Sequence, residues 1–99
     1  TPDSPRPEIQ YEFVVAIALD HGRRIVARHG ISPHVLLLRP NSRGSVSLAS
    51  PRHEDAPLVD FRYYEDPDDL AAHVAGVKRV AAFFQTPTFR GRIKADLMT

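Results

Sequence analysis

Ninety-nine residues with 42% apolar and 25% charged side chains fit one soluble, globular domain with a modest core. A net charge of +1 lacks the basic excess of a nucleic-acid binder, and no apolar run reaches the roughly 18 residues of a membrane span. The absence of Cys excludes disulfides and thiolate metal sites and favours a reducing, cytoplasmic compartment.

The chain opens Thr1-Pro2-Asp3 without a leader peptide, and its one Met is Met98. It therefore reads as a piece of a longer polypeptide. Residues 1–8 hold three prolines, which remove donors and fix φ, so they predict an extended lead-in. Residues 9–89 read as the folded domain and 90–99 as a tail.

Ile9 to Leu19 predicts a strand. Tyr11, Phe13, Val15, Ile17 and Leu19 alternate onto one large apolar face, which should pack on the core. Gln10, Glu12, Val14, Ala16 and Ala18 form a smaller, partly polar face. Asp20 to Pro33 is Arg- and His-rich between Gly22 and Gly30; it reads as a solvated hairpin or surface loop, with an anion-binding loop as the alternative. His34 to Arg39 predicts a second strand, apolar on both faces in its middle. Pro40 ends it, and a turn at Gly44, a residue free to take positive φ, predicts a hairpin to a strand at Ser45–Ala49. A polar loop between Pro51 and Pro57 leads to a short strand at Leu58–Tyr63.

The best-defined element is a helix over residues 66–85. Asp66 is a good N-cap, Pro67 suits the first helical position, and Asp69 sits where a capping-box acid would reach back. Leu70, Val74, Val77, Ala81 and Phe84 mark an apolar stripe at helical spacing, and Pro87 stops the helix. The fold class is α+β: a mostly antiparallel sheet of about four or more strands, with the one main helix packed on one face.

No phosphate-cradling glycine loop, nucleophile elbow or i, i+4 histidine pair occurs. His53-Glu54-Asp55 is the densest titratable cluster, but neighbouring loop residues point apart, so a solvated loop is favoured over a metal or acid–base site. His73 reads as a helix-boundary residue, and His34 as an exposed strand end, with reach into a cavity as the alternative. Seven of the twelve acids fall between Glu54 and Asp69, and capping and loop solvation account for most of them. Arg43 has a rigid five-donor fork suited to clamping loop carbonyls or an acid such as Asp60. Arg39 ends an apolar strand and could reach a substrate.

An ordered series of residues carries a resemblance. Arg39-Pro40-x-Ser42-Arg43-Gly44-x-Val46-x-Leu48-x-Ser50, then Ala56-Pro57-Leu58-Val59-Asp60, resembles the C-terminal signature of the glucose–methanol–choline (GMC) flavoprotein oxidoreductases, choline dehydrogenase-like members among them. Tyr63-Tyr64, Asp66-Pro67-Asp68-Asp69, Gly76-Val77-Lys78-Arg79-Val80 and the lead Pro7 to Gln10 extend it. The resemblance implies a parent that uses FAD to oxidise a small alcohol, with hydride passing to the flavin N5 and a His as base. It implies no catalytic residue, no metal and no bound FAD in this chain, and it names no FAD ligand here. The FAD-binding domain of the same polypeptide would be its partner.

By the same resemblance the chain is the substrate-binding domain, and Leu37 and Arg39 line the substrate cavity. Face alternation adds Glu12, Val14 and Ala16. Ser42, Arg43, Gly44, Pro57, Asp66 and Pro67 are its structural motif. Asp20 to Pro33 matches no family pattern. An isolated piece should be inactive and should self-associate through its exposed sheet face. The alternative is a free-standing α+β module that binds a small ligand or another protein.

Overall fold

The computed structural model describes residues 5–20, 22–95 and 97; half of the lead-in, His21 and part of the tail lie outside them. The strands are β1 (Ile9–Val14), β2 (Ile17–Leu19), β3 (Arg24–Val26), β4 (Ser32–Leu37), β5 (Ser45–Ser47) and β6 (Leu58–Asp60). The helices are α1 (Pro67–Phe84) and a single turn, α2 (Pro87–Arg90). The class is α+β, with antiparallel strands and one main helix.

Helix α1 begins and ends on local chemistry. Asp66 is extended and its carboxylate accepts the Asp68 N–H at 2.8 Å. Pro67 follows at the first helical position, where a missing N–H costs nothing. The Gln85 N–H returns to Ala82 O at 3.1 Å. Pro87 lies past that end and opens α2.

The strands form three two-stranded antiparallel ladders, β1–β4, β2–β3 and β5–β6. The expected hairpin between the strands at His34–Arg39 and Ser45–Ala49 is absent. After β4 the chain is drawn to the start of α1, where Asp69 accepts the Asn41 and Ser42 N–H groups, each at 2.8 Å. It therefore leaves the sheet, and β5 pairs with β6 in the register Val46↔Val59. The single strand expected from Ile9 to Leu19 is also broken. Ser32 Oγ donates to Ala16 O at 2.7 Å and accepts the Ala18 N–H at 3.4 Å, which bends the chain between β1 and β2 and leaves Val15 85% exposed.

Helix α1 crosses the β1–β4 ladder at Gly76. A Cβ there would stand 2.8 Å from Val35 Cγ1 and 3.4 Å from Ile9 Cγ2. Tyr11 Oη reaches Gly76 O at 3.4 Å. The row turned inward is Ala72, Gly76, Val80 and Phe84, all partly or fully buried, at the i, i+4 spacing of one helix face. Leu70, Val74 and Val77, expected to face the core, are 42–50% exposed. Close approach selects small residues at the crossing, so the bulkier stripe is turned away.

Phe13, Phe83, Phe84 and Phe89 close the far end of α1, with Phe83 and Phe89 centroids 4.6 Å apart. Yet no apolar residue among those described is buried; only Asp69 and Gly76 are. The accessible surface is 8738 Å², against about 5,700 Å² for a folded monomer of this mass. One helix on a two-stranded ladder covers one side of one layer, too little for the expected core.

Candidate functional site

The ladder register assigns each strand residue a face. Ile9↔Leu37, Tyr11↔Val35 and Phe13↔Pro33 pair on one side; Gln10↔Leu36, Glu12↔His34 and Val14↔Ser32 pair on the other. Contact of Gly76 with Ile9 and Val35 marks the first side as the one under α1. The second side is open: Gln10, Glu12, His34 and Leu36 are exposed, and Val14 and Ser32 are half-buried.

This register divides the cavity candidates. Glu12 and Val14 lie on the open face. Leu37 lies opposite Ile9, on the face under the helix. Ala16 sits at the bend after β1, with its carbonyl held by Ser32. Arg39 is exposed, two residues past β4. Alternation along one strand identified the Glu12 face, but which β4 residues share it depends on a register that sequence does not reveal. The register sets His34, singled out in the sequence as a strand end, opposite Glu12 on that face.

The Ser42-Arg43-Gly44 stretch has three separate tasks. Ser42 Oγ donates to Asp69 Oδ2 at 2.5 Å and accepts the Asp66 N–H at 3.0 Å. Asp69 was expected to bond that N–H itself, as in a capping box; Ser42 stands between the two and relays the contact. The Ser42 hydroxyl holds the Asp69 carboxyl below the usual carboxylate range, with help from the Asn41 and Ser42 N–H groups and the Arg43 charge, and against the effect of burial. Arg43 folds back onto the carbonyls of Pro40, Asn41 and Ser42 at 2.5, 3.1 and 3.0 Å.

Gly44 does not adopt positive φ; the turn glycine that does is Gly22, at 82°. Gly44 is needed for space. An added Cβ would lie 2.2 Å from Asp60 O and 2.8 Å from Phe61 O. Pro57 is exposed and immediately precedes β6. Asp66 and Pro67 occupy the start of α1, as described above.

Several of the remaining titratable groups are engaged locally. His53 and Glu54 approach to 3.4 Å with side chains 91% and 67% exposed. Asp55 instead turns to Ser50 Oγ at 2.5 Å and to the Arg52 guanidinium. These contacts, Ser50 first, lower its pKa. The three side chains do not converge, which removes an acid–base or metal site there. Among the described residues, no group of three or more His, Asp or Glu could hold a metal ion.

Asp60 is bonded by Arg62 Nε at 2.8 Å, and Tyr64 Oη shares a 2.8 Å hydrogen bond with His73 Nδ1. Arg62 and Tyr64 both take positive φ, 45° and 60°, a conformation that strains non-glycine residues. An apolar cleft of about 160 Å³ lined by Phe13, Ile31, Phe83, Phe84 and Phe89 lies at the far end of α1, with no polar side chain to orient a ligand. No helix among the described residues is long and apolar enough to cross a membrane.

The family model described as GMC oxidoreductase matches residues 40–97. An alcohol dehydrogenase [acceptor] of Pseudomonas putida is 35% identical over 98 residues, 99% of this chain and 18% of its own. That match spans the Asp20–Pro33 stretch, for which no family pattern was read. Oxygen-dependent choline dehydrogenases of Brucella ovis and Paraburkholderia xenovorans are 42% and 32% identical over 66 and 93 residues. They align with 66% and 91% of this chain, and with 12% and 17% of their own length. The chain thus spans less than a fifth of these curated relatives. No solved structure gives a significant match.

Proposed function

The chain belongs to the GMC oxidoreductase family, matching its C-terminal domain, and from that premise we propose that it forms a substrate-cavity wall of a larger FAD-dependent alcohol oxidoreductase. The observation that carries this reading is the one-sided cover of the β1–β4 ladder. Helix α1 backs one face, while on the opposite face Glu12, His34 and Leu36 are exposed and Val14 is half-buried. Such a sheet is complete only against another surface, and a polar and apolar mixture of this kind suits the wall of a small-alcohol site.

The residues present do not fit FAD itself. A helix N-terminus is a ready seat for phosphate, but that of α1 is occupied by the Asp66 and Asp69 carboxylates, with Asp68 in the same turn. A pyrophosphate there would meet like charge. In this reading another part of the polypeptide holds the cofactor, and the 99 residues alone are inactive. Their own contribution is positional. Gly76 sets the helix close behind the sheet, and the Ser42–Asp69 contact holds the chain leaving β4, so the open face keeps its shape.

The test uses the complete polypeptide and the isolated chain side by side. The complete protein should carry FAD, and its flavin absorbance should bleach when a primary alcohol is added without oxygen. The isolated chain should bind no FAD. A complete protein without flavin, or a flavin that no alcohol reduces, overturns the reading.

A further inference from the structure

Charge is unevenly placed along this chain. Residues 70–95 hold five Lys and Arg and no Asp or Glu, directly after the acid-rich stretch that caps α1. Two of those cations meet at one place. Arg90 and Lys94 line a cavity of about 250 Å³ past the end of α1, together with Phe84, Gln85 and Ile93.

Local bonds build the backbone around this cavity. The Arg90 N–H donates to Thr86 O at 2.9 Å and the Ile93 N–H to Phe89 O at 3.1 Å. The turn of α2 thus runs on to Ile93, and i, i+3, i+4 spacing sets Arg90, Ile93 and Lys94 on one side of it. Phe89 pins the turn against Phe83, with centroids 4.6 Å apart. Cations near a helix C-terminus often serve its free carbonyls. Here Ala82 O takes the Gln85 N–H at 3.1 Å, and Phe83 O takes the Thr86 N–H and hydroxyl at 3.2 and 2.8 Å. Those carbonyls have their donors already. Among the described residues, neither the Arg90 nor the Lys94 side chain makes a hydrogen bond or ion pair. Two like charges beside one cavity repel, and an anion between them relieves that repulsion.

We propose that this cavity binds a small organic carboxylate. The Arg90 fork matches the two carboxylate oxygens, and Lys94 adds a point charge. Phe84 and Ile93 contact the hydrocarbon part. That apolar half separates the ligand from an inorganic anion, which has nothing to place there. The proposal does not depend on what covers the β1–β4 ladder.

Calorimetry on the complete protein tests it, with butanoate, acetate, butanamide and inorganic phosphate as probes. Butanoate should saturate with a Kd of about 1 mM at low salt. Butanamide, of similar shape and uncharged, should bind at least about tenfold more weakly. Arg90→Gln should weaken butanoate about tenfold or more, and Lys94→Gln about threefold. Arg90→Lys, which keeps the charge and loses the fork, should fall between Arg90→Gln and wild type. Arg92→Gln removes the same charge outside the cavity lining and should change the affinity less than about twofold. Ile93→Ala should lower the preference for butanoate over acetate.

Three results overturn the proposal. One is an absence of saturable butanoate binding. Another is equal weakening by Arg90→Gln and Arg92→Gln, which marks a general field of positive charge. The last is phosphate binding as tightly as butanoate with the same loss in Arg90→Gln, which makes the site one for inorganic anions. Arg90→Lys and Lys94→Gln keep these outcomes readable if Arg90→Gln fails to fold.

Discussion

The two ends of α1 are held by opposite means. At its start, a buried carboxylate takes three hydrogen bonds from residues 41 and 42, and Asp69 is only 4% exposed. At its finish, rings of Phe13, Phe83, Phe84 and Phe89 meet at 4.6–6.0 Å, and Phe83 remains 42% exposed. Directional bonds define one position for the first turn. Ring contacts tolerate small shifts, and the part-covered rings leave room for a further surface. The helix is thus fixed where the chain leaves the sheet and adaptable at its other end.

Substitutions that break this contrast rank by how little the surroundings can yield. Gly44→Val should cost the most, at least about 3 kcal/mol, because its Cβ meets backbone rather than side chain. Thermal unfolding of the complete protein reads that loss, and a shift of only a degree or two would contradict the close approach at Asp60. Asp69→Asn comes next. Hydrogen exchange should show the Asn41 and Ser42 amides losing tenfold or more of their protection, with the amides around Gln85 unchanged.

Asp69→Asn also has a signature in pH. The folded-state pKa of Asp69 is depressed, chiefly by the Ser42 hydroxyl. Its stabilisation is therefore fully present above the unfolded value of about 3.9, and is lost as pH falls through the lower folded value. Stability measured from neutral pH into that acid range should drop less steeply in Asp69→Asn than in wild type. Asp55, depressed in the same direction, adds only a small slope to both, since its partner Arg52 is 74% exposed. Phe89→Leu should be mildest, near 1 kcal/mol, and should leave the Asn41 and Ser42 amides protected. Equal effects at both ends would mean that α1 behaves as one rigid rod.

The helix was legible because its signals are local. Asp66, Pro67 and the break before Pro87 place both ends within a residue or two. What was not legible depends on contacts distant in sequence. Pairing of β5 with β6 rather than β4 follows from Asp69 reaching back 27 residues, which no turn propensity near Gly44 encodes. Apart from Phe84, the inward face of α1 was misread because apolar bulk was taken as the guide, whereas the crossing at Gly76 is set by smallness. On the open face, the alternation of Glu12 and Val14 was readable, but not the partnership of Glu12 with His34. The family resemblance was legible as an ordered series of residues, and the match over residues 40–97 agrees with it.

The Ser42–Asp66 bond joins residues 24 positions apart and so closes the whole β5–β6 excursion at its base. Changes within that ring need not travel outward. Lengthening its polar segment between Pro51 and Pro57 adds only the slow logarithmic cost of a longer closed loop, about 0.6 kcal/mol per doubling, while the phase of α1 on the sheet is set outside it. The ribbon is therefore a natural place for related proteins to differ in length, a tolerance that the packed crossing at Gly76 does not share.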